Sequence, residues 1–364
     1  MAKAKFVISA IALILASTFL LAEAGLRIYQ NVAGNIPVTS FLPGYKIEKR
    51  FALSPFLVFG PRMDWQAPNK KNPQYAYFNP QGFRAQDIIG KKPDNEYRII
   101  TLGGSTTEDL WNDDGIHWPL VLEQQLHHRS RPHARVLNTA MSAYTSAHSL
   151  IRFAFDITDY SPDMVIVMHN INDLMVNYQA VFQGEAVDPH YKVLYSTKRF
   201  TGDITDEDVV VSRVVHAITS RFKAWRESRA RPLVADSDIS RGRGYFKRNL
   251  SNLIALAQAH QIKIVLLTMP YAKSELAYEK SRANGRPFPR HARFLADLAT
   301  YNDDIMEVGK KRGVTVIDMA THLHEKENYF VDTVHYSTEG TEEFGKILAP
   351  RLATLIDKSP IGPR

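Results

Sequence analysis

The chain of 364 residues contains no cysteine. That excludes disulfides, a thiolate nucleophile, cysteine-ligated zinc and a lipidated cysteine. It leaves the compartment open, because exported proteins can do without disulfides. There is no sustained repeat and no long low-complexity tract. The pattern Gly-x-Ser-x-Gly is also missing, which argues against an α/β-hydrolase elbow. The net charge is +7, yet no nucleic-acid motif and no glycine–aromatic RNA-binding signature accompanies it. Nucleic acid is therefore not an expected partner. Basic residues are densest between 221 and 248 and include Arg226, Arg229, Arg231, Arg241, Arg243, Lys247 and Arg248. They read as a solvated face, with contact to an anionic membrane or polymer as the alternative.

The hydrophobic content of 45% is ample for one large core. Lys3 and Lys5 precede an uncharged stretch from Phe6 to Ala22. At about 1.5 Å per helical residue this reaches roughly 25 Å, the short end of a membrane span. Residues 1–28 are thus expected to form a signal anchor with a cytoplasmic amino terminus. Cleavage after Ala24, at Leu21-Ala22-Glu23-Ala24, is the alternative. Either way the bulk of the chain is expected outside the cytoplasm, at the periplasm or cell surface or secreted. Residues 29–96 hold eight prolines, from Pro37 to Pro93, and read as an irregular extension packed on the core. Asn79-Pro80-Gln81-Gly82-Phe83-Arg84 is expected to turn tightly.

From residue 97 to 357 apolar strands alternate with helical patterns, which argues for an α/β fold with a parallel sheet. Strands are expected at Arg98–Leu102, Ala134–Leu137, Asp163–Met168, Lys263–Thr268 and Thr315–Ile317. Helices are expected at Trp118–His127, Ser146–Tyr160, Lys247–His260, Ala292–Lys311 and Thr338–Leu355. An interval of about 178–245 interrupts this rhythm. Within it Val211, Val214, Val215, Ile218, Phe222 and Trp225 fall at helical spacing. They suit a packed helix, a lid, or a surface that meets membrane or partner.

Three loops complete the pattern opened by Gly103-Gly104-Ser105 at the end of the first strand. They are Asn138–Ser146 after the second strand, Asn170-Ile171-Asn172-Asp173 after the third, and Asp332-Thr333-Val334-His335 before the last helix. In a parallel sheet such loops gather at one edge. Ser105 alone reads as a helix cap. With His335 as base and Asp332 fixing its tautomer, Ser105 reads as a nucleophile. The backbone N–H groups of Ser105 and Ala143 and the side-chain amide of Asn172 are the candidate oxyanion donors. His322 and His324 near Asp332 match no usual metal spacing, and no metal or cofactor is expected. Asp113, Asp114 and His117 suit a loop and helix cap, His169 the side of the cleft, and Glu339 the first turn of the last helix.

In this order the motifs resemble the SGNH (GDSL-type) hydrolases over roughly residues 97–355. The resemblance implies a flavodoxin-like three-layer α/β/α sandwich. It also implies Ser105 as nucleophile, His335 as base, Asp332 as orienting acid and Asn172 as oxyanion donor. Gly-Asp-Ser-Leu is Gly103-Gly104-Ser105-Thr106 here, the second-block glycine falls on Ala143, and the glycine of Gly-x-Asn-Asp is Asn170. Gly-Gly-Ser-Thr-Thr and His-Asn-x-Asn-Asp are more similar to an exported, membrane-anchored subset. The implied activity is carboxylic ester hydrolysis through an acyl-enzyme. A short acyl group such as acetyl is the preferred class, on a glycan or lipid, and membrane contact is made through the N-terminal helix. An O-acyltransferase for exopolysaccharide or cell-wall glycan, and a non-enzymatic glycan-binding or scaffold protein, are the alternatives.

Overall fold

In the computed structural model the described residues are 2–34, 45–46, 51–54, 57–67, 70–85, 87–178, 209–210, 214–215, 218, 222, 238–283, 288–323 and 326–357. They fall into two compact units, residues 1–49 with 203–231 and residues 50–202 with 232–364.

The first unit holds helix α1 (Ala2–Gly34) and a two-residue antiparallel pair, β1 (Tyr45–Lys46) with β7 (Val209–Val210). Within α1 the 20 residues Ser9–Ile28 have a mean hydropathy of 1.9, and none is buried. Helical rise makes that stretch about 30 Å long, the thickness of a bilayer core. Near its end Glu23 accepts from Arg27 Nε (2.7 Å) and from the Val214 N–H (2.9 Å). Val214, Val215, Ile218 and Phe222 have helical backbone; the rest of the stretch from Val211 to Trp225 lies outside the described residues. So do Arg226, Arg229 and Arg231 of the basic cluster, and His324.

The second unit is built on a five-stranded, all-parallel sheet. Its strands are β4 (Tyr97–Gly103), β5 (Ala134–Asn138), β6 (Met164–Met168), β8 (Lys263–Leu267) and β9 (Thr315–Ile317), in spatial order β5-β4-β6-β8-β9. Counted along the chain this is 2-1-3-4-5, the flavodoxin-like order, whose reversal falls between β4 and β6. Every residue of β4 and β6 is buried, as in a sheet covered on both faces. Helix α3 (Trp118–His128) packs with the C-terminal helix α9 (Thr338–Asp357). Helix α4 (Ser146–Phe155) packs with α6 (Ser240–Ala259), and α6 with α8 (His291–Arg312). The result is an α/β/α sandwich.

The same unit contains a hairpin, β2 (Phe51–Ser54) with β3 (Val58–Pro61). The turn at Asn79 closes through Gly82 N–H to the Asn79 carbonyl (2.9 Å), with Gly82 at φ +75°. Asn79 Oδ1 also accepts from the N–H groups of Gln81 and Phe83 (3.0 Å each). The helix expected over Ser146–Tyr160 stops at Phe155. Asp156 adopts φ −136°, and a 3₁₀ turn carries Ile157–Tyr160.

Candidate active site

The order reversal leaves a crevice at the carboxyl ends of β4 and β6, where open α/β sheets place ligands. The first residue beyond β4 is Gly104, which caps the one-turn helix α2 (Ser105–Glu108). Ser105 opens that helix and so has a backbone N–H with no partner inside it. Ser105 is nine-tenths buried, at 8% exposure. Its Oγ lies 2.8 Å from His335 Nε2, across 230 positions of sequence. His335 Nδ1 lies 2.8 Å from Asp332 Oδ2. The carboxylate requires a proton on Nδ1, so Nε2 is free to accept from the serine hydroxyl.

Asp332 is fixed as well as paired. Its Oδ1 accepts from the N–H groups of Val334 (2.9 Å) and His335 (3.0 Å), an Asx-type turn that points the imidazole inward. Thr333 is held between these two residues by Ser281 of helix α7 (Glu275–Ala283), at 3.0 Å to its N–H and 2.9 Å to its Oγ1. Burial raises the Asp332 carboxyl. The positive charge on His335 and the hydrogen bonds from His335 and the turn N–H groups outweigh that and leave it below the ordinary carboxylate value.

Asn172 lies one residue into α5 (Ile171–Asn177), which follows β6. One amide hydrogen goes from Nδ2 to the Tyr144 carbonyl (2.8 Å). This approach explains Gly104. A Cβ at that position would stand 2.4 Å from Asn172 Nδ2 and 3.1 Å from the Tyr144 carbonyl oxygen. The glycine therefore makes way for the amide, and any larger side chain would displace Asn172. Ala143 sits at φ +68°, the left-handed region that favours glycine. Ser142 ties the Ala143 loop to α2, its N–H (2.9 Å) and Oγ (2.5 Å) both donating to Glu108 Oε2. Neither Ser105 N–H nor Ala143 N–H donates to another group among the described residues.

Of the five residues singled out from sequence, Ser105 opens α2, Asn172 lies in the first turn of α5, and Ala143, Asp332 and His335 lie on loops. Glu108 and Tyr144, which hold that arrangement, carried no separable signal. Nor did Trp111, whose indole stacks on the His335 ring with centroids 4.1 Å apart and planes 29° apart. His169 is the first residue beyond β6. It is buried, with Nε2 2.7 Å from Ser149 Oγ of α4. His117 caps α3 by accepting from the Leu120 N–H (3.2 Å), Asp114 accepts from Thr338 Oγ1 (2.5 Å), and Glu339 from Asn328 Nδ2 (2.6 Å). His322 is engaged by Arg351, 2.8 Å from Nη2 to Nε2.

A model of the GDSL-like lipase/acylhydrolase family matches residues 101–342, well over half of the chain. The chain belongs to that family. Its activity class is carboxylic ester hydrolysis. Solved structures with similar folds include a GDSL-like lipase from Bacteroides thetaiotaomicron, at 15% identity and TM-score 0.43, covering 73% of this chain and 92% of that one. A lipase/acylhydrolase from Enterococcus faecalis has 15% identity and TM-score 0.44, over 71% and 96% of the two chains. An acetyl-xylooligosaccharide esterase from Geobacillus stearmophilus has 15% identity and TM-score 0.42, over 76% and 99%. No curated protein gives a match.

Proposed function

We propose that this GDSL-type hydrolase cleaves short-chain acyl esters through a Ser105–His335–Asp332 triad. The observation that carries the reading is the unbroken relay Oγ–Nε2 and Nδ1–Oδ2, each at 2.8 Å, beside two unspent backbone N–H groups. His335 Nε2 takes the Ser105 proton as Oγ bonds to the acyl carbon. The electron pair of the carbonyl moves to its oxygen, which the N–H groups of Ser105 and Ala143 and the second amide hydrogen of Asn172 receive. The protonated imidazole then gives its proton to the departing alkoxide. Water enters, loses a proton to His335 and releases the acid, restoring Ser105. Asp332, which stays ionised at neutral pH, steadies the imidazolium in both halves.

A short acyl group fits the depth of burial of Ser105 and the Ala143 methyl group on the oxyanion loop. The apolar helix Ser9–Ile28 supports membrane anchoring, and Lys3 and Lys5 before it favour an amino terminus in the cytoplasm and a catalytic unit outside it. The test of the reading is a fluorophosphonate probe applied to wild type and Ser105→Ala. Wild type should label and the variant should not. A folded wild type that takes no label would remove Ser105 from the role. Esters of increasing acyl length, with acetyl and butyryl turned over faster than decanoyl, check the substrate class.

A further inference from the structure

Trp111 is 41% exposed, an unusual position for a tryptophan, and yet it stands on a rigid support. Asp109, two residues earlier, is buried in the left-handed conformation (φ +56°). Arg84 Nη1 donates to the Asp109 carbonyl (2.8 Å) and Nη2 to the Gly115 carbonyl (2.6 Å), so the guanidinium clasps both ends of the loop. The next residue, Asn112, is 2% exposed and donates to the Ile116 carbonyl (3.0 Å). The loop thus fixes an indole that it does not bury, one face lying against His335.

We infer that the open part of the Trp111 indole is the platform for the alcohol half of the ester, and that this alcohol is a pyranose. The inference rests on the triad reading above. An imidazole that protonates the leaving alkoxide must stand within hydrogen-bond reach of the alcohol oxygen. The alcohol therefore passes next to the indole stacked on that imidazole. A half-exposed, flat aromatic surface suits a ring with one C–H face and a hydroxylated rim. The C–H face lies on the indole while the hydroxyls stay in water. A linear alkyl alcohol gains more from an enclosed apolar groove than from an open plane.

The test uses the full chain in detergent with two acetyl esters, a methyl pyranoside monoacetate and n-butyl acetate. In Trp111→Leu the ratio of kcat/KM for the sugar ester to that for the butyl ester should fall at least tenfold, mainly through KM. Trp111→Phe, which keeps a ring, should retain most of the ratio. Equal losses on both esters would overturn the inference and leave Trp111 as a support for His335 only. A binding measurement removes the dependence on turnover. Ser105→Ala titrated with the pyranoside acetate should show a saturable change in tryptophan fluorescence that Ser105→Ala with Trp111→Phe lacks. No change, or the same change in both, would also overturn it. Failure of the triad reading looks different: no fluorophosphonate labelling and no hydrolysis of either ester by wild type.

Discussion

Among the described residues two Ser–His–Asp sets stand out, and one of the two is arranged for proton transfer. In the first, Ser105, His335 and Asp332 are joined at 2.8 Å and 2.8 Å. In the second, Ser149 Oγ lies 2.7 Å from His169 Nε2, closer than its counterpart, but His169 Nδ1 is 3.9 Å from Asp173 Oδ2, beyond hydrogen-bond reach. Asp173 is occupied otherwise. It accepts from the Ser146 N–H (3.2 and 3.0 Å) and Oγ (2.5 Å) and so anchors the start of α4. Burial, helped by the charge of His148, pushes His169 down to about 3, so it stays neutral and cannot store a proton at physiological pH. Ser149 is 1% exposed, and its own N–H is spent on the Thr145 carbonyl (3.3 Å) and so does not receive an oxyanion. Three residue types at short distance do not make a triad. The ring must be ionisable, the carboxylate must be spent on the ring, and donors must face the place where charge develops.

The sharpest way to break this comparison is a pair of serine variants. Ser105→Ala should lower kcat by about 10⁴-fold or more with folding intact. Ser149→Ala should leave kcat/KM within about threefold while costing about 1–3 kcal/mol of stability, because His169 loses its buried partner. Urea unfolding and steady-state kinetics on the two proteins read both. If Ser149→Ala abolished activity in a folded protein, the two sets would have to be exchanged. Asn172→Ala should lower kcat by about 10²–10³-fold, with a smaller effect on KM, since the amide meets charge only in the transition state. Its neighbour Asp173 belongs to the other set, so Asp173→Asn should register in thermal melting before it registers in kcat.

Carboxylates extend the comparison to pH. Asp332 is held below its ordinary value, whereas burial pushes Asp109 up to about 7, against the pull of Arg84 and the hydrogen bonds from Thr341, Trp118 N–H and Asn112. A carboxyl with a raised folded pKa is protonated in the native state and ionised in the unfolded chain between about pH 4 and 7. Its contribution to stability is full below that window and lost as pH rises through it. Asp109→Asn should therefore gain on wild type steadily as pH rises from about 4 to 7, and melt at higher temperature than wild type at pH 8. A difference independent of pH would show that Asp109 is ionised throughout. The smallest effect is expected at Ala143→Gly. Relief of the left-handed backbone, set against the extra freedom of glycine when unfolded, should raise stability by about 0.5–1 kcal/mol in a thermal melt.

The sheet was legible because its strands are short and mostly apolar, those of β4 and β6 buried throughout, and all five lie within a residue or two of where their composition puts them. The site was legible because each of its residues follows a strand or precedes the last helix. Helix α6 was harder. It begins at Ser240, seven residues ahead of the expected Lys247, through Gly242 and Gly244, which a helix reading penalises. Gly242 is there for packing: a Cβ would lie 1.5 Å from Asn177 Oδ1. Helix α7 has a weak apolar face, yet its Ser281 clamps the Asp332–His335 loop. Trp111 follows a polar turn and gains its meaning only from a ring over two hundred residues away. Contacts of that range leave no periodicity to read.

The 230 positions between Ser105 and His335 also set an order in time. Synthesis at roughly 5–20 residues per second separates the two by some tens of seconds. During that interval Ser105 is an ordinary alcohol, without a base to take its proton. On the proposed triad, the chain becomes a catalyst only when its last loop has been delivered and clamped. Until then, on that reading, a growing chain carries a serine that is chemically silent toward every ester it meets.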